Sequence, residues 1–143
     1  MFGPDEKTQA NNISKLISFF ENNWYEILKI SRRTESQADR YAAKYGVTDI
    51  VNAKKFGRSK SESRYSAVNN TNSDTVEIRI MRGTLNYAKF LASVDFCINA
   101  VNNSRKIKWK DVFCIPKWLQ GLKPETMEYI RSRKAFEGVE LCA

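Results

Sequence analysis

Histidine is absent from the 143 residues. That removes Ser-His and Cys-His nucleophile pairs, imidazole metal ligands and a histidine general base. Any chemistry must use carboxylates, Lys, Arg, Tyr or Cys. Cysteine is scarce: Cys97, Cys114 and Cys142 are an odd number without metal-ligand spacing. Free thiols in a reducing cytoplasm are the expectation, with Cys97 a small core residue on a helix. No apolar run of about 18 residues and no signal-peptide pattern is visible, so no membrane partner is expected. Acid is in deficit. Asp and Glu number 16 against 24 Lys and Arg, for a formal charge of +8. That balance excludes an acidic mimic of DNA and favours anionic partners: nucleotide phosphates, nucleic acid or a nucleoprotein.

What is present fits one domain over 1–143 with a single ordinary core, since 42% of residues are hydrophobic and 12% aromatic. Pro4-Asp5-Glu6 starts a helix, and Ile13, Leu16, Ile17, Phe20, Trp24, Ile27 and Leu28 extend it at helical spacing to about 29. Thr34 with Gln37 predicts a capping box for a helix over 35–45, ended by Gly46. Residues 47–50 suggest a short helix start, and the basic, Ser-rich segment 54–63 reads as a loop. Tyr87, Phe90, Leu91, Val94, Cys97, Ile98 and Val101 predict a second long helix over about 86–102. An edge strand over 106–110, a helical turn within 116–122 and a last helix from Pro124 to about Lys134 follow. Trp109, Phe113, Trp118 and Phe136 are expected to close the core.

The segment 64–81 is the centre of the expected fold. It reads as an antiparallel hairpin, with a five-residue polar turn at 70–74. A symmetric register places Asn69 opposite Thr75 and Ala67 opposite Glu77. Val76, Ile78 and Ile80 share one face, which belongs on a core. Glu77 and Arg79 share the other, about 7 Å apart along the strand. They make either a solvated salt-bridging face or a site holding a cation at Glu77 and an anion at Arg79. The fold class is therefore α+β: a small antiparallel sheet packed by two long helices and short C-terminal helices.

A second feature is the basic arm. Between Lys29 and Arg64 stand ten Lys and Arg against four Asp and Glu. Lys54, Lys55, Arg58 and Lys60 are candidate nucleic-acid contacts, against the alternative of a solvated loop. Arg32 and Arg33 are a candidate guanidinium pair for phosphate or carboxylate, against solvated charges at a helix end.

Several stretches are familiar together: Phe2-Gly3-Pro4-Asp5, Ser31-Arg32-Arg33, Arg64-Tyr65-Ser66-Ala67-Val68-Asn69, 75–85 and Leu122-Lys123-Pro124-Glu125-Thr126. In this order they resemble the C-terminal half of the amidoligase family, carboxylate–amine ligases of bacteria and phages related to glutamine synthetase. The resemblance implies half of a glutamine-synthetase-like fold. It implies a reaction in which ATP, with Mg²⁺, activates a carboxylate that an amine then attacks. It further implies Glu77 as metal ligand, Arg79 as phosphate ligand, Arg64 and Asn69 as secondary polar contacts, and Arg32 and Arg33 at the nucleotide or substrate edge. The family carries a longer N-terminal half with more acids and a His-x-His-like segment. The expectation is thus a truncated, catalytically inactive domain with no cofactor of its own. Its role would be to bind or inhibit a nucleoprotein, as an anti-CRISPR protein of a mobile element contacts a Cas nucleoprotein or guide RNA. The alternatives are a ligase half completed by another chain or a second copy, and a metal-dependent nuclease using Asp74, Glu77 and Lys60 or Lys89.

Overall fold

The computed structural model describes residues 3–47, 49–59, 64–72 and 74–139. Lys60, and Cys142 with it, lies outside the described residues. Seven helices and one two-stranded antiparallel sheet are seen among them. The class is α+β, with helix strongly dominant.

Helix α1 (Glu6–Asn22) is the central element. Asp5 caps its start, accepting from Thr8 N at 2.8 Å. Every residue from Asn12 to Phe20 is buried, so α1 is packed on all sides. Phe19 is the aromatic hub. Its ring stacks on Trp118 at 4.4 Å between centroids and lies 6.3 Å from both Phe96 and Phe136. The expected single helix over 6–29 is two. Asn23 leaves helical geometry (φ −115°, ψ 29°), and α2 (Trp24–Ser31) follows. The cause is local. The Asn23 backbone N–H and its side-chain amide both donate to Phe19 O, at 3.2 and 2.8 Å. The amide competes with the backbone ladder, as Asn side chains do.

The Thr34–Gln37 capping box forms as expected and opens α3 (Glu35–Tyr41). The helix stops four residues short of the expected Tyr45. Ala43 is drawn off into a parallel bridge with Ser66. The Glu21 carboxylate then collects three successive N–H donors, Tyr45 at 2.7 Å, Gly46 at 2.9 Å and Val47 at 3.1 Å. Gly46 supplies the positive φ (78°) that this turn requires.

The expected loop from 54 is corrected as well. Helix α4 (Ile50–Arg58) runs through it, N-capped by Asp49, which accepts from Asn52 N at 2.8 Å. It packs closely on α1 through Gly57. A Cβ there would stand 2.7 Å from Ala10 O and 2.8 Å from Ser14 N. The glycine is a contact point between two helices, not a breaker.

Strands β1 (Val68–Asn69) and β2 (Glu77–Ile78) pair as Val68↔Ile78 and Asn69↔Glu77. This register lies two residues from the expected one, and the ladder is shorter. Asn69 turns its side-chain oxygen onto Thr71, accepting from N at 3.0 Å and Oγ1 at 2.9 Å, and so closes the strand early. A two-residue shift preserves the faces. Ile80 is buried, and Val76 and Ile78 pack on the core from partly buried positions.

Helix α5 (Tyr87–Lys106) is longer than expected, and the edge strand over 106–110 is replaced by its C-terminus and a 3-10 turn at Trp109–Asp111. Asn103 sits inside the helix because its side-chain amide donates to Trp118 O at 2.8 Å and Gln120 O at 3.0 Å. Helices α6 (Ile115–Leu119) and α7 (Pro124–Ser132) complete the chain's described part, α7 opening at Pro124 as expected. Trp118 and Phe136 are core residues and Trp109 is half-buried. Phe113 is exposed, contrary to expectation.

Candidate nucleic-acid interface

The residues singled out in the sequence do not form one constellation. Glu77 is an exposed β2 residue opposite Asn69. Its carboxylate accepts from Asn69 Nδ2 at 3.1 Å and from Arg79 at 3.4 Å. Asn69 is buried and spent on Glu77 and Thr71. Glu77 therefore faces an amide and a guanidinium, not a second carboxylate. Among the described residues no three His, Cys, Asp or Glu come together to hold a metal. This donor set does not fit Mg²⁺, which takes oxygen ligands. The same geometry bears on the nuclease reading, which also needs a second acid beside Glu77.

Arg32 is committed to the protein. It ends α2 in the left-handed region (φ 63°). Its guanidinium donates to Tyr129 Oη at 2.9 Å, to Ser93 Oγ at 3.3 Å and to the Arg82 carbonyl. The side chain thereby ties α2 to α5 and α7. Lys54 is also engaged, its ammonium lying 4.9 Å from the centre of the Trp109 ring. Lys55 and Arg58 are exposed on α4, where Asp5 and Glu6 line the neighbouring cleft with Lys54 and Arg58. The sign there is mixed.

A different basic cluster forms around the end of β2. Arg82 N donates to Ser31 O at 3.1 Å, bringing the 31–33 and 79–82 segments together. Arg33 donates through Nε to Ile80 O at 2.8 Å and lies within electrostatic reach of Arg79 and Arg82. Its burial, and then the charges of Arg82 and Arg79, pull its pKa down from the usual arginine value. Neither Arg33 nor Arg82 makes an ion pair with a described residue. Three guanidinium groups share this spot with one carboxylate, Glu77, 53% exposed at its side chain.

Exposed aromatics continue the cluster. The Arg79 guanidinium lies 5.5 Å from the Tyr65 ring centre. Arg40 lies 6.0 Å from Tyr41, and the Lys44 ammonium 5.9 Å from Tyr25. All three tyrosines are exposed. The Ala43 N–H donates to the Tyr65 carbonyl at 2.6 Å, which joins the segment before β1 to the 40–44 segment. Tyr41 also acts electrostatically on Arg33. Arg64 precedes Tyr65 in the chain and is exposed.

This face contains Arg33 and Arg79 from the sequence reading. Arg40 and Lys44 lie in the basic arm counted from the sequence, and Tyr65 is an aromatic of that arm's end able to stack on a base; Arg82, Tyr25 and Tyr41 are what sequence reasoning missed. These segments are brought together by the Ser31–Arg82 backbone contact, the bonds of Arg32 and Arg33 to the Arg82 and Ile80 carbonyls and the Ala43–Ser66 bridge, and none of these has a local sequence signature. No protein-family model, curated protein or solved structure matches the chain.

Proposed function

We propose that the protein binds single-stranded RNA, free or held in a nucleoprotein, through the Arg33–Arg79–Arg82 cluster and its three tyrosines. Backbone phosphates provide the charge that arginine forks recognise, and unstacked bases provide faces for exposed aromatic rings. The observation that carries the reading is the placing of Tyr25, Tyr41 and Tyr65 each within about 6 Å of a cation, next to the Arg33–Arg79–Arg82 group, on a surface where Glu77 and the Tyr25-bonded Glu35 are the acids that touch these groups. A binding role is favoured over ligase catalysis because the Glu77 carboxylate is turned onto Arg79 and Asn69. In this reading the amidoligase-like motif 75–85 supplies a scaffold of the glutamine-synthetase type, and the Glu-x-Arg strand has become part of an RNA face. The protein acts as an inhibitor by occupying RNA that a partner nucleoprotein needs, of the kind that anti-CRISPR proteins block.

Gel-shift titration against guide RNA and against the loaded Cas nucleoprotein tests this. The expected result is a shift that weakens as salt rises. No salt-dependent shift with either would overturn the proposal.

A further inference from the structure

The apolar stripe of α5 does not face the core. Its buried side is built from Ala92, Ser93, Phe96, Asn99, Ala100 and Asn103. Tyr87 (75% exposed), Phe90 (51%), Leu91, Val94 and Ile98 (55%) point outward instead, and Leu85 just before the helix is fully exposed. Single exposed apolar residues are ordinary; a contiguous row on one helix is not. The row has a second regularity. Tyr87, Leu91, Val94, Ile98 and Val101 are spaced four, three, four and three residues apart. That is the spacing of a helix-pairing seam, with a mean of 3.5 residues.

We infer that α5 pairs with α5 of a second copy of this chain, in a twofold, antiparallel contact centred on Val94. Three observations select this occupant. The first is area. The exposed fractions of Tyr87, Phe90, Leu91, Val94 and Ile98 together with Leu85 amount to roughly 600 Å² per copy, so a contact covering all of them removes about 1,200 Å², the low end of a stable specific interface. The second is shape. Antiparallel pairing about Val94 sets bulky Tyr87 against small Val101, Leu91 against Cys97 and Phe90 against Ile98, whereas parallel pairing sets Tyr87 against itself. The third is charge. The chain carries +8, yet no charged residue stands on the seam from Tyr87 to Val101. Tyr87, Leu91, Val94 and Ile98 themselves form one wall of a groove of about 780 Å³ against α7, and its charged lining carries both signs, Lys89 and Lys123 with Asp95, Glu125 and Glu128. Two strongly basic copies can meet here without like charges opposed.

Sedimentation velocity of the full chain at about 1–100 µM and ~0.15 M salt tests the inference. The expected species has twice the 16.5 kDa chain mass. Val94→Glu and Ile98→Lys should each weaken association at least a hundredfold while leaving the far-UV circular dichroism of the wild type. A wild type that sediments as a monomer throughout overturns the inference. So does a dimer that both variants leave intact. Loss of the fold in both variants also overturns it, because the face would then be core rather than surface.

Discussion

Replacing Gly57 with Ala puts the α1–α4 packing to a quantitative test. In an isolated helix the change favours folding, because Ala exceeds Gly in helix propensity by about 1 kcal/mol. In this fold the new Cβ would stand 2.7 Å from Ala10 O and 2.8 Å from Ser14 N. Both atoms belong to the backbone of α1, whose following residues through Phe20 are buried. Neither can turn aside as a flexible side chain would. Relief requires α4 to lift off α1, exposing Ala53 and the Gly57 backbone. Overpacking of this kind costs about 1–3 kcal/mol, and more where backbone is involved. Against the propensity gain, the net expectation is about 2 kcal/mol of destabilisation. For a chain of this size that lowers the melting temperature by about 6 °C. The assay is thermal and urea unfolding followed by circular dichroism, with the urea slope checked for constancy. Gly83→Ala is the internal control. Its Cβ meets nothing within 4 Å, so its stability should stay within about 0.5 kcal/mol of wild type. A Gly57→Ala variant as stable as the wild type, or more so, would refute the α1–α4 contact.

Other predictions concern single groups. Burial pushes the Glu21 carboxyl up from its usual value, against the three backbone N–H donors that pull it down. A carboxyl raised in the folded state contributes stability that is present below its unfolded pKa and lost as pH rises through the folded value. Glu21→Gln should therefore gain relative to wild type as pH rises from about 4.5 towards neutrality, read as urea midpoints. The buried Lys15 ammonium donates to Ile107 O at 3.0 Å, and burial lowers its pKa. Its charging penalty is present at neutral pH and is relieved as pH rises towards the ordinary lysine value, so wild-type stability should climb on the alkaline side where Lys15→Met does not. Asn103→Ala should cost about 1–2 kcal/mol in urea unfolding, because it removes hydrogen bonds that hold the Trp118 and Gln120 carbonyls to α5. Tyr65→Ala should leave stability nearly unchanged and weaken single-stranded RNA by about 1–3 kcal/mol of lost stacking, read by fluorescence anisotropy.

The features legible in the sequence are those with a local cause. The helix start at Pro4-Asp5-Glu6, the Thr34–Gln37 box and Pro124 at a first helical position need only their near neighbours, and all three stand as expected. The failures share a non-local cause. Segment 54–58 is basic and contains a glycine, so its composition resembles a loop. What makes it helix is a partner helix whose contacting residues, Ser14 and Ala10, stand 43 and 47 residues before Gly57 (57 − 14 and 57 − 10) and accept a residue without a side chain. The Asp49 cap was the available signal. In α5, periodicity reports that an apolar face exists but not that the fold covers it. The buried face uses Asn99 and Asn103, polar residues made acceptable by the Trp118 carbonyl. The candidate site follows the same division. Arg33 and Arg79 were named from the sequence, but the commitment of Arg32 to Ser93, Tyr129 and the Arg82 carbonyl depends on α5 and α7 arriving beside it. Arg82 is held in the cluster by two contacts with the end of α2, its N–H on the Ser31 carbonyl and its own carbonyl on the Arg32 guanidinium.

The arginine cluster is the central claim, and the salt dependence of RNA binding tests it most directly. Each phosphate neutralised on a single strand contributes about −0.7 to the slope of log K against log salt. Arg33, Arg79 and Arg82 together predict a slope of about −2 for a single-stranded RNA oligomer in anisotropy titrations between ~50 and ~200 mM salt. Arg82→Ser should flatten that slope by about 0.7 and weaken binding about fivefold near 0.1 M salt. Lys54→Ser, on the mixed-sign face of α4, should leave it unchanged. A slope that Arg82→Ser leaves intact while Lys54→Ser flattens it would contradict the account and move the interface to α4.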